Sequence, residues 1–503
     1  MTASCDVAVI GGGPNGLTAA AYLARSGASV TVLEQRFERG GTMTSDDYST
    51  PFTYNQGQAA LPLGASNPVV ADLGLADHGV AFIEPASVLS VGGELVIGRG
   101  GAGLGDAVQA MFASVSRACV PALYRSPGPE PELVAGWRSL GEDAAANLAG
   151  LTPDELAALA PDERGRLAVR YACAALGFGN PGQRIGAVGG FTVARWFSPA
   201  LVAGGSKSLP NALFRLAASA GACCPVSARV TRVRRADGEG FTLSCADGRQ
   251  VGARTVICTL DPRTTFTGLL DPDLVPASLI AAGRDWAFDE LACFTAHFGI
   301  VGEPPGSAAG SGGEPYLRLA GIGSVQDLED HLAAVRAGRL PARPAGLLSV
   351  TTAHDPLQAS PGPYGPLHTL RFDTFAPLRH PDGAWDRQRR AYRGRCWEFL
   401  CDQFPALREA RLIAQFADAP GDLRRRFATT SPGTVRQGAL GPAQALTLRP
   451  HPSCADTRTP VPGFYLGGGG VHPGVPGLLG AGMLAARAVS ADLGAADPAA
   501  ARS

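Results

Sequence analysis

The stretch that decides the fold is Asp6-Val-Ala-Val-Ile-Gly-Gly-Gly-Pro-Asn-Gly16, continued by Val30-Thr-Val-Leu-Glu34. It reads as a buried strand, a glycine turn, a helix and a second strand that closes on an acid. Gly11, Gly13 and Gly16 satisfy G-x-G-x-x-G. The first lets the chain turn tightly, the second lets the backbone approach a pyrophosphate, and the third lets the helix pack close to the strand. The free N–H groups and dipole at the helix N-terminus favour phosphate there. Glu34 stands at the distance expected of a carboxylate that binds ribose hydroxyls, and its charge opposes a 2′-phosphate. A glycine match by itself is weak in a chain with 66 glycines. Strand, helix and acid all accompany it here, which favours a dinucleotide site over a bare structural turn.

A chain of 503 residues can bury a large core and points to two domains. The formal net charge of −1 gives no electrostatic case for nucleic acid or for strong attraction to anionic lipid. The basic residues are arginines apart from Lys207. The 11 cysteines are scattered, odd in number and lack C-x-x-C or Cys/His metal spacing, so no metal site is expected. Cys223-Cys224 reads as small apolar filler, with a redox dithiol as the alternative. A reduced, cytoplasmic compartment fits this usage. The first residues lead directly into a strand, which leaves no room for a signal peptide. No apolar run of about 18 residues predicts a membrane-spanning helix.

Residues 1–75 form the first part of the dinucleotide-binding unit. Residues 76–200 read as a helical insert, with helices at Gly105–Val120 and at Asp154–Gly177, the latter broken by Pro161. Residues 201–280 return to the binding unit. There Gly204-Gly205 precede a helix at Asn211–Ala220, and Ala228–Arg235 alternates like a half-buried strand. Turns at Asp237-Gly238 and Asp247-Gly248 connect it to Phe241–Cys245 and Val251–Arg254, and Thr255–Thr259 reads as a separate buried strand. Residues 281–430 form a substrate domain with strands at Ala292–Ile300, Leu347–Thr352 and Leu367–Phe375. Its helices are Val325–Ala337 and Trp385–Phe404, and a flexible loop is expected at 302–314. Residues 431–495 supply the last part of the binding unit, where Gly463–Gly474 repeats strand and glycine turn ahead of a helix. No G-x-G-x-x-G with an acid follows, so this segment closes over the cofactor held by the first motif. Residues 496–503 read as a disordered tail.

Taken together these segments resemble the phytoene desaturase-like flavoprotein family, which includes carotenoid desaturases and isomerases. The residues that carry the resemblance are Gly11–Gly16, Glu34 with Arg39-Gly40-Gly41, Gly204-Gly205, Ala228-Arg-Val230, Cys258–Pro262 and Tyr465–Gly474. Pro14-Asn-Gly-Leu17, Arg436-Gln-Gly438 and Leu448-Arg-Pro450 are closer to the branch containing the mammalian pyridine-nucleotide-disulfide-oxidoreductase-domain protein 2. One departure is that His472-Pro-Gly-Val-Pro-Gly477 is shorter than the family's glycine run. The resemblance implies an α/β fold: a glutathione-reductase-type, FAD-binding Rossmann domain, discontinuous in sequence, with an α+β substrate domain. It implies non-covalent FAD, the glycine pair after the acid favouring FAD over NAD. Gly11, Gly13, Pro14, Asn15 and Gly16 would hold the pyrophosphate, and Glu34, Gln35, Arg39 and Gly41 the adenosine ribose and its surroundings. Val230 would meet adenine through its backbone. Gly469, Gly470 and Val471 would lie along the ribityl chain and flavin, with the helix Leu478–Leu493 aimed at the ring.

A flavin accepts hydride from a C–H bond while the protein orients the substrate and excludes water. No triad, metal cluster or carboxylate pair stands out, which suits a small apolar substrate. His472 is the ionisable candidate for catalysis; packing of its own glycine turn is the other reading. Arg436 and Arg449 line the site or pair with acids. His297, His354 and His368 read as ordinary satisfied histidines. Trp196-Phe197 is an apolar substrate wall or plain core. The expected activity is FAD-dependent desaturation of an apolar, polyene-like molecule, with electrons passing to a quinone or oxygen and the insert touching a membrane peripherally. The alternatives are a tailoring oxidase of a smaller polar molecule and a flavin-free binding protein on the same architecture, against which Glu34 and both glycine segments argue.

Overall fold

Val7, Ala8 and Val9 are completely buried, as expected of a strand covered on both faces. The computed structural model describes residues 3–46, 51–93, 95–305, 314–360, 365–428 and 430–494. Most of the expected loop at 302–314 and the tail at 496–503 lie outside these residues. The strand Ala3–Ile10 is interior to a six-stranded sheet, with the edge strand Val30–Leu33 parallel on one side and Gln250–Cys258 parallel on the other.

Gln250–Cys258 is one nine-residue strand, which corrects the expected division at Thr255. Its neighbour changes there, not its own course. Up to Ala253 it pairs antiparallel with Phe241–Cys245; from Val256 it pairs parallel with Phe464–Leu466. Val230–Arg235 completes the edge. The helix Pro14–Arg25, with Gly13 at its N-cap and Pro14 in the first turn, packs between the helices Ser208–Ser219 and Gly480–Asp492. The strands thus come from three separated stretches of chain, the discontinuous arrangement expected.

The second sheet has seven strands in the order Arg411–Asp418, Ala292–Val301, Leu367–Ala376, Gly346–Val350, Leu317–Ala320, Ser87–Val91 and Leu95–Gly98. The last two correct the reading of 76–200 as wholly helical: a hairpin within it closes the second sheet. The helices that follow, from Asp106–Leu123 to Gly186–Trp196, share one hydrophobic core with that sheet. Pro161 does separate two helices, Pro153–Ala158 and Glu163–Ala175, and Asp162 caps the second by accepting from the Gly165 N–H at 2.8 Å. Among the described residues no helix is long and apolar enough to cross a membrane, and no cluster of metal-ligating side chains occurs.

Candidate functional site

The parallel strands Ala3–Ile10, Val30–Leu33, Gln250–Cys258 and Phe464–Leu466 end around one elongated cavity, as ligand clefts do in open α/β sheets. Its glycines divide by what a side chain would meet. At Gly16 a Cβ would lie 2.0 Å from the Gly11 carbonyl oxygen, so this position is closed by backbone. Gly11 has φ +103°, and its Cβ would lie 2.3 Å from Thr259 Oγ1. At Gly13 the nearest atom is Gly41 Cα at 3.7 Å, and the open side is the cavity itself. A Cβ on Gly41 would in turn reach 3.0 Å from Gly13 Cα, which explains the glycine pair after the acid.

Glu34 is 6% exposed and lines the cavity. Its Oε2 accepts from the Gly12 N–H and its Oε1 from the Arg36 N–H, each at 2.8 Å. Burial pushes its carboxyl above the usual range, while these N–H bonds and the Arg36 charge pull the other way. A carboxylate with one bond on each oxygen keeps lone pairs for two hydroxyls. The Ala228 N–H donates to the Glu34 carbonyl at 2.7 Å and thereby brings Val230 to the same end of the cavity. Pro14, Asn15 and Gln35 also line it, and the Asn15 Oδ1 is buried there with no protein partner. An acid at one end, an open glycine turn and an unpartnered amide oxygen in the middle fit an extended dinucleotide.

Three expectations are corrected in this cavity. Arg39 does not line it: its Nε donates to the Cys224 carbonyl at 2.9 Å and its guanidinium stacks 4.1 Å from the Phe214 ring centroid. Arg36 takes the place beside the cavity, stacked 5.0 Å from Phe427, and its buried Nη1 has no protein partner. Gly470 and Val471 turn away, since a Cβ on Gly470 would lie 2.6 Å from Pro262 and Val471 is completely buried. Gly468 and Gly469 do line the wall, which continues through Gly474–Gly477 to Leu479 at the start of the helix Gly480–Asp492. His472 does not line this cavity. Its Nε2 donates to the Ala122 carbonyl at 3.0 Å, and burial draws its pKa down to about 4, so it packs the turn as a neutral ring. Sequence reading missed Gln437, whose Nε2 donates to the Thr259 carbonyl at 2.9 Å and whose Oε1 accepts the Gly469 N–H.

A second cavity of about 260 Å³ adjoins the first, sharing Gln58, Val435, Val475 and Pro476 with it. Leu61, Pro62, Leu176, Trp196, Leu317 and Leu347 supply apolar wall. Trp196 therefore faces the cavity, whereas Phe197 is core and stacks on Phe112 at 5.5 Å. The polar part includes Gln58, Thr192, Arg195, Tyr316, Ser349, Arg371, Asp373 and Arg436. Arg371 donates to Asp373 through Nε at 2.8 Å and Nη2 at 3.1 Å, and through Nη1 to the Gly57 carbonyl at 2.6 Å. Arg436 both lines the cavity and pairs with the fully buried side chain of Asp289, its Nε 3.1 Å from Oδ1. His297, His354 and His368 lie outside both linings; His297 is buried against Phe416, ring centroids 4.4 Å apart. A signal for Arg371 and Asp373 does exist in the sequence: two charges at i and i+2, hence on one face of an otherwise apolar strand, Leu367–Ala376.

With this geometry established, the comparisons with known proteins agree with it. A model of the family described as flavin-containing amine oxidoreductases matches residues 15–298. A limonene dehydrogenase subunit from Castellaniella defragrans is 26% identical over 97% of this chain and 95% of its own length. Pyridine nucleotide-disulfide oxidoreductase domain-containing protein 2 of Rattus norvegicus is 24% identical over 97% of this chain and 94% of its own. Among solved structures, cyclohexylamine oxidase from Brevibacterium oxydans superimposes with a TM-score of 0.59, covering 97% of this chain and 99% of that one at 17% identity, a likeness of fold.

Proposed function

Since the chain belongs to the flavin-containing amine oxidoreductase family and is an FAD-dependent oxidoreductase, we propose that it dehydrogenates a small, neutral, largely apolar molecule. The observation that carries this reading is the second cavity: about 260 Å³, mostly apolar, and in contact with the end of the cofactor cavity remote from Glu34. That volume lies just below the usual range for ligand pockets, about 300–1,000 Å³, and suits a molecule far smaller than a forty-carbon polyene. The similarity to one subunit of a limonene dehydrogenase points to the same scale of substrate.

The charges on the lining argue against an amine. Arg195, Arg371 and Arg436 face the cavity with Asp373 as the carboxylate, so a protonated amine meets net positive charge. Arg371 and Arg436 are already held by Asp373 and Asp289, which leaves the apolar wall to do the binding.

In this reading Glu34 and Val230 would hold the adenosine of FAD, the Gly13 turn would hold its pyrophosphate, and Gly474–Gly477 would line the flavin end. FAD supplies the acceptor for a hydride from a substrate C–H bond. The apolar wall excludes water, and Gln58, Val475 and Pro476 hold the reacting carbon at the junction of the cavities. Asp373, held in place by Arg371, is the carboxylate assigned to the proton that leaves with the hydride. His472 moves no proton. Electrons then pass to a quinone or to oxygen. Peripheral contact with a membrane belongs to the same proposal, with Leu140, 79% exposed on the insert, at the contact.

A second reading rests on Arg195, which lines the cavity and donates to the Pro62 and Ser198 carbonyls with no carboxylate at ion-pair distance among the described residues. It would suit a small molecule bearing a carboxylate. Anaerobic turnover with a soluble quinone, followed by product analysis, separates the two. Dehydrogenated products from cyclic ten-carbon hydrocarbons support the first reading, and products from small carboxylic acids alone support the second.

A further inference from the structure

Arg449 is completely buried, yet no acid lies within ion-pair distance of it among the described residues. Its guanidinium is spent on carbonyls: Nε and Nη2 on Gly469 O at 3.0 and 2.6 Å, and Nη1 on Ala439 O and Gln444 O at 2.7 and 2.9 Å. Trp286 covers it, with the ring centroid 4.9 Å away. Asp289, the acid that acts on it from further off, is already paired with Arg436. Arg170 is the contrasting case: equally buried, it pairs with both Asp154 and Glu329. A buried charge without a counter-charge is costly, and neutral carbonyls offset only part of the cost. Burial accordingly draws the Arg449 pKa down to about 9.

What lies in front of Arg449 is the cofactor cavity. A Cβ on Gly474 would lie 2.2 Å from Arg449 Nε, so only a glycine leaves room for the guanidinium behind this wall. Gly469 and Gly474 line the cavity, and the adjoining Val475 and Pro476 also line the substrate cavity. The cation therefore stands one residue layer behind the wall at the end where the two cavities meet, opposite the end marked by Glu34 and Val230.

We infer that Arg449 is a positioning residue that favours the reduced flavin by supplying a positive charge that no acid among the described residues pairs at ion-pair distance. Two electrons and one proton entering the ring leave it with a charge of −1. That charge is the missing partner of the guanidinium, reached through the Gly469–Gly474 wall. The effect makes the flavin a stronger oxidant, which removal of hydride from an unactivated C–H bond requires. The inference concerns the cofactor and stands whichever substrate is correct.

Sulfite adds to oxidised flavin to give an anionic adduct, so its affinity reports positive charge at the ring. Arg449→Gln should bind sulfite at least about tenfold more weakly than wild type. The two-electron potential should fall with it, about 30 mV for each factor of ten. Arg449→Lys, which keeps the charge and loses the fork, should stay within about threefold of wild type. A flavin-loaded Arg449→Gln protein with wild-type sulfite affinity and potential would overturn the inference and leave Arg449 as packing. If that variant does not fold, the wild type decides: reduction should take up one proton per two electrons from about pH 8 to pH 6, and uptake of two protons across that range would overturn it.

Discussion

The Gly12 N–H and Glu34 Oε2 are joined by a 2.8 Å hydrogen bond, so the acid at the end of the second strand is oriented by the same turn that opens the first helix. The two halves of the cofactor site are thus one unit. Glu34→Ala should weaken FAD by about 1.5–3 kcal/mol, the range for hydrogen bonds to a charged group. Titration of apoprotein with FAD checks this, and unchanged affinity would remove Glu34 from the site.

Gly13 and Gly16 should fail in different ways. A Cβ at Gly13 meets nothing closer than 3.7 Å and projects toward the cavity, so Gly13→Ala should fold with stability within about 1 kcal/mol of wild-type apoprotein and yet purify colourless. A Cβ at Gly16 lies 2.0 Å from backbone, so Gly16→Ala should cost about 1–3 kcal/mol even without FAD. Thermal melts of the apoproteins beside their flavin content make the distinction.

These glycines were legible because their spacing is local: strand, turn, helix and acid follow one another within about thirty residues. Arg36 was missed in favour of Arg39 because neither spacing nor charge says which side chain after a strand turns inward. The answer lies in Phe214 and the Cys224 carbonyl, nearly two hundred residues on, which capture Arg39. The glycine run at 467–470 signalled a cofactor wall, but its later residues turn in against Pro262, and the short 474–477 segment takes over. The substrate cavity was least legible. It is assembled from loop 57–62, the last insert helix, three strands of the far sheet, residues 435–436 and residues 475–476, segments that no local spacing links.

His472 supplies a pH prediction. Its folded-state pKa is depressed from 6.5 to about 4, so the fold favours the neutral ring. The contribution is fully present above about pH 6.5 and is lost as pH falls toward 4, on the order of 3 kcal/mol in all. His472→Gln should flatten that part of the stability profile measured by urea unfolding. Flavin reduction in the same variant should slow by less than tenfold, against about 10²–10⁴-fold for a residue that transfers a proton.

The Arg371–Asp373 pair should matter to the fold as much as to the site. Asp373→Asn leaves a half-buried guanidinium without its carboxylate and should cost about 1–3 kcal/mol. The double variant Arg371→Met/Asp373→Leu should recover much of that loss, because the charge and its partner leave together. Melting temperatures of the single and double variants test this, and an additive double variant would show that the two side chains are not coupled.

The most direct measurement is anaerobic mixing of the FAD-loaded protein with candidate substrates while the flavin absorbance is followed. A cyclic ten-carbon hydrocarbon should bleach the flavin without NAD(P)H, and primary amines should leave it oxidised, because Arg371 and Arg436 are paired with acids and Arg195 leaves the lining with net positive charge. Rapid bleaching by an amine, or by NADH with no organic substrate present, would contradict the account and make the protein an amine oxidase or a reductase.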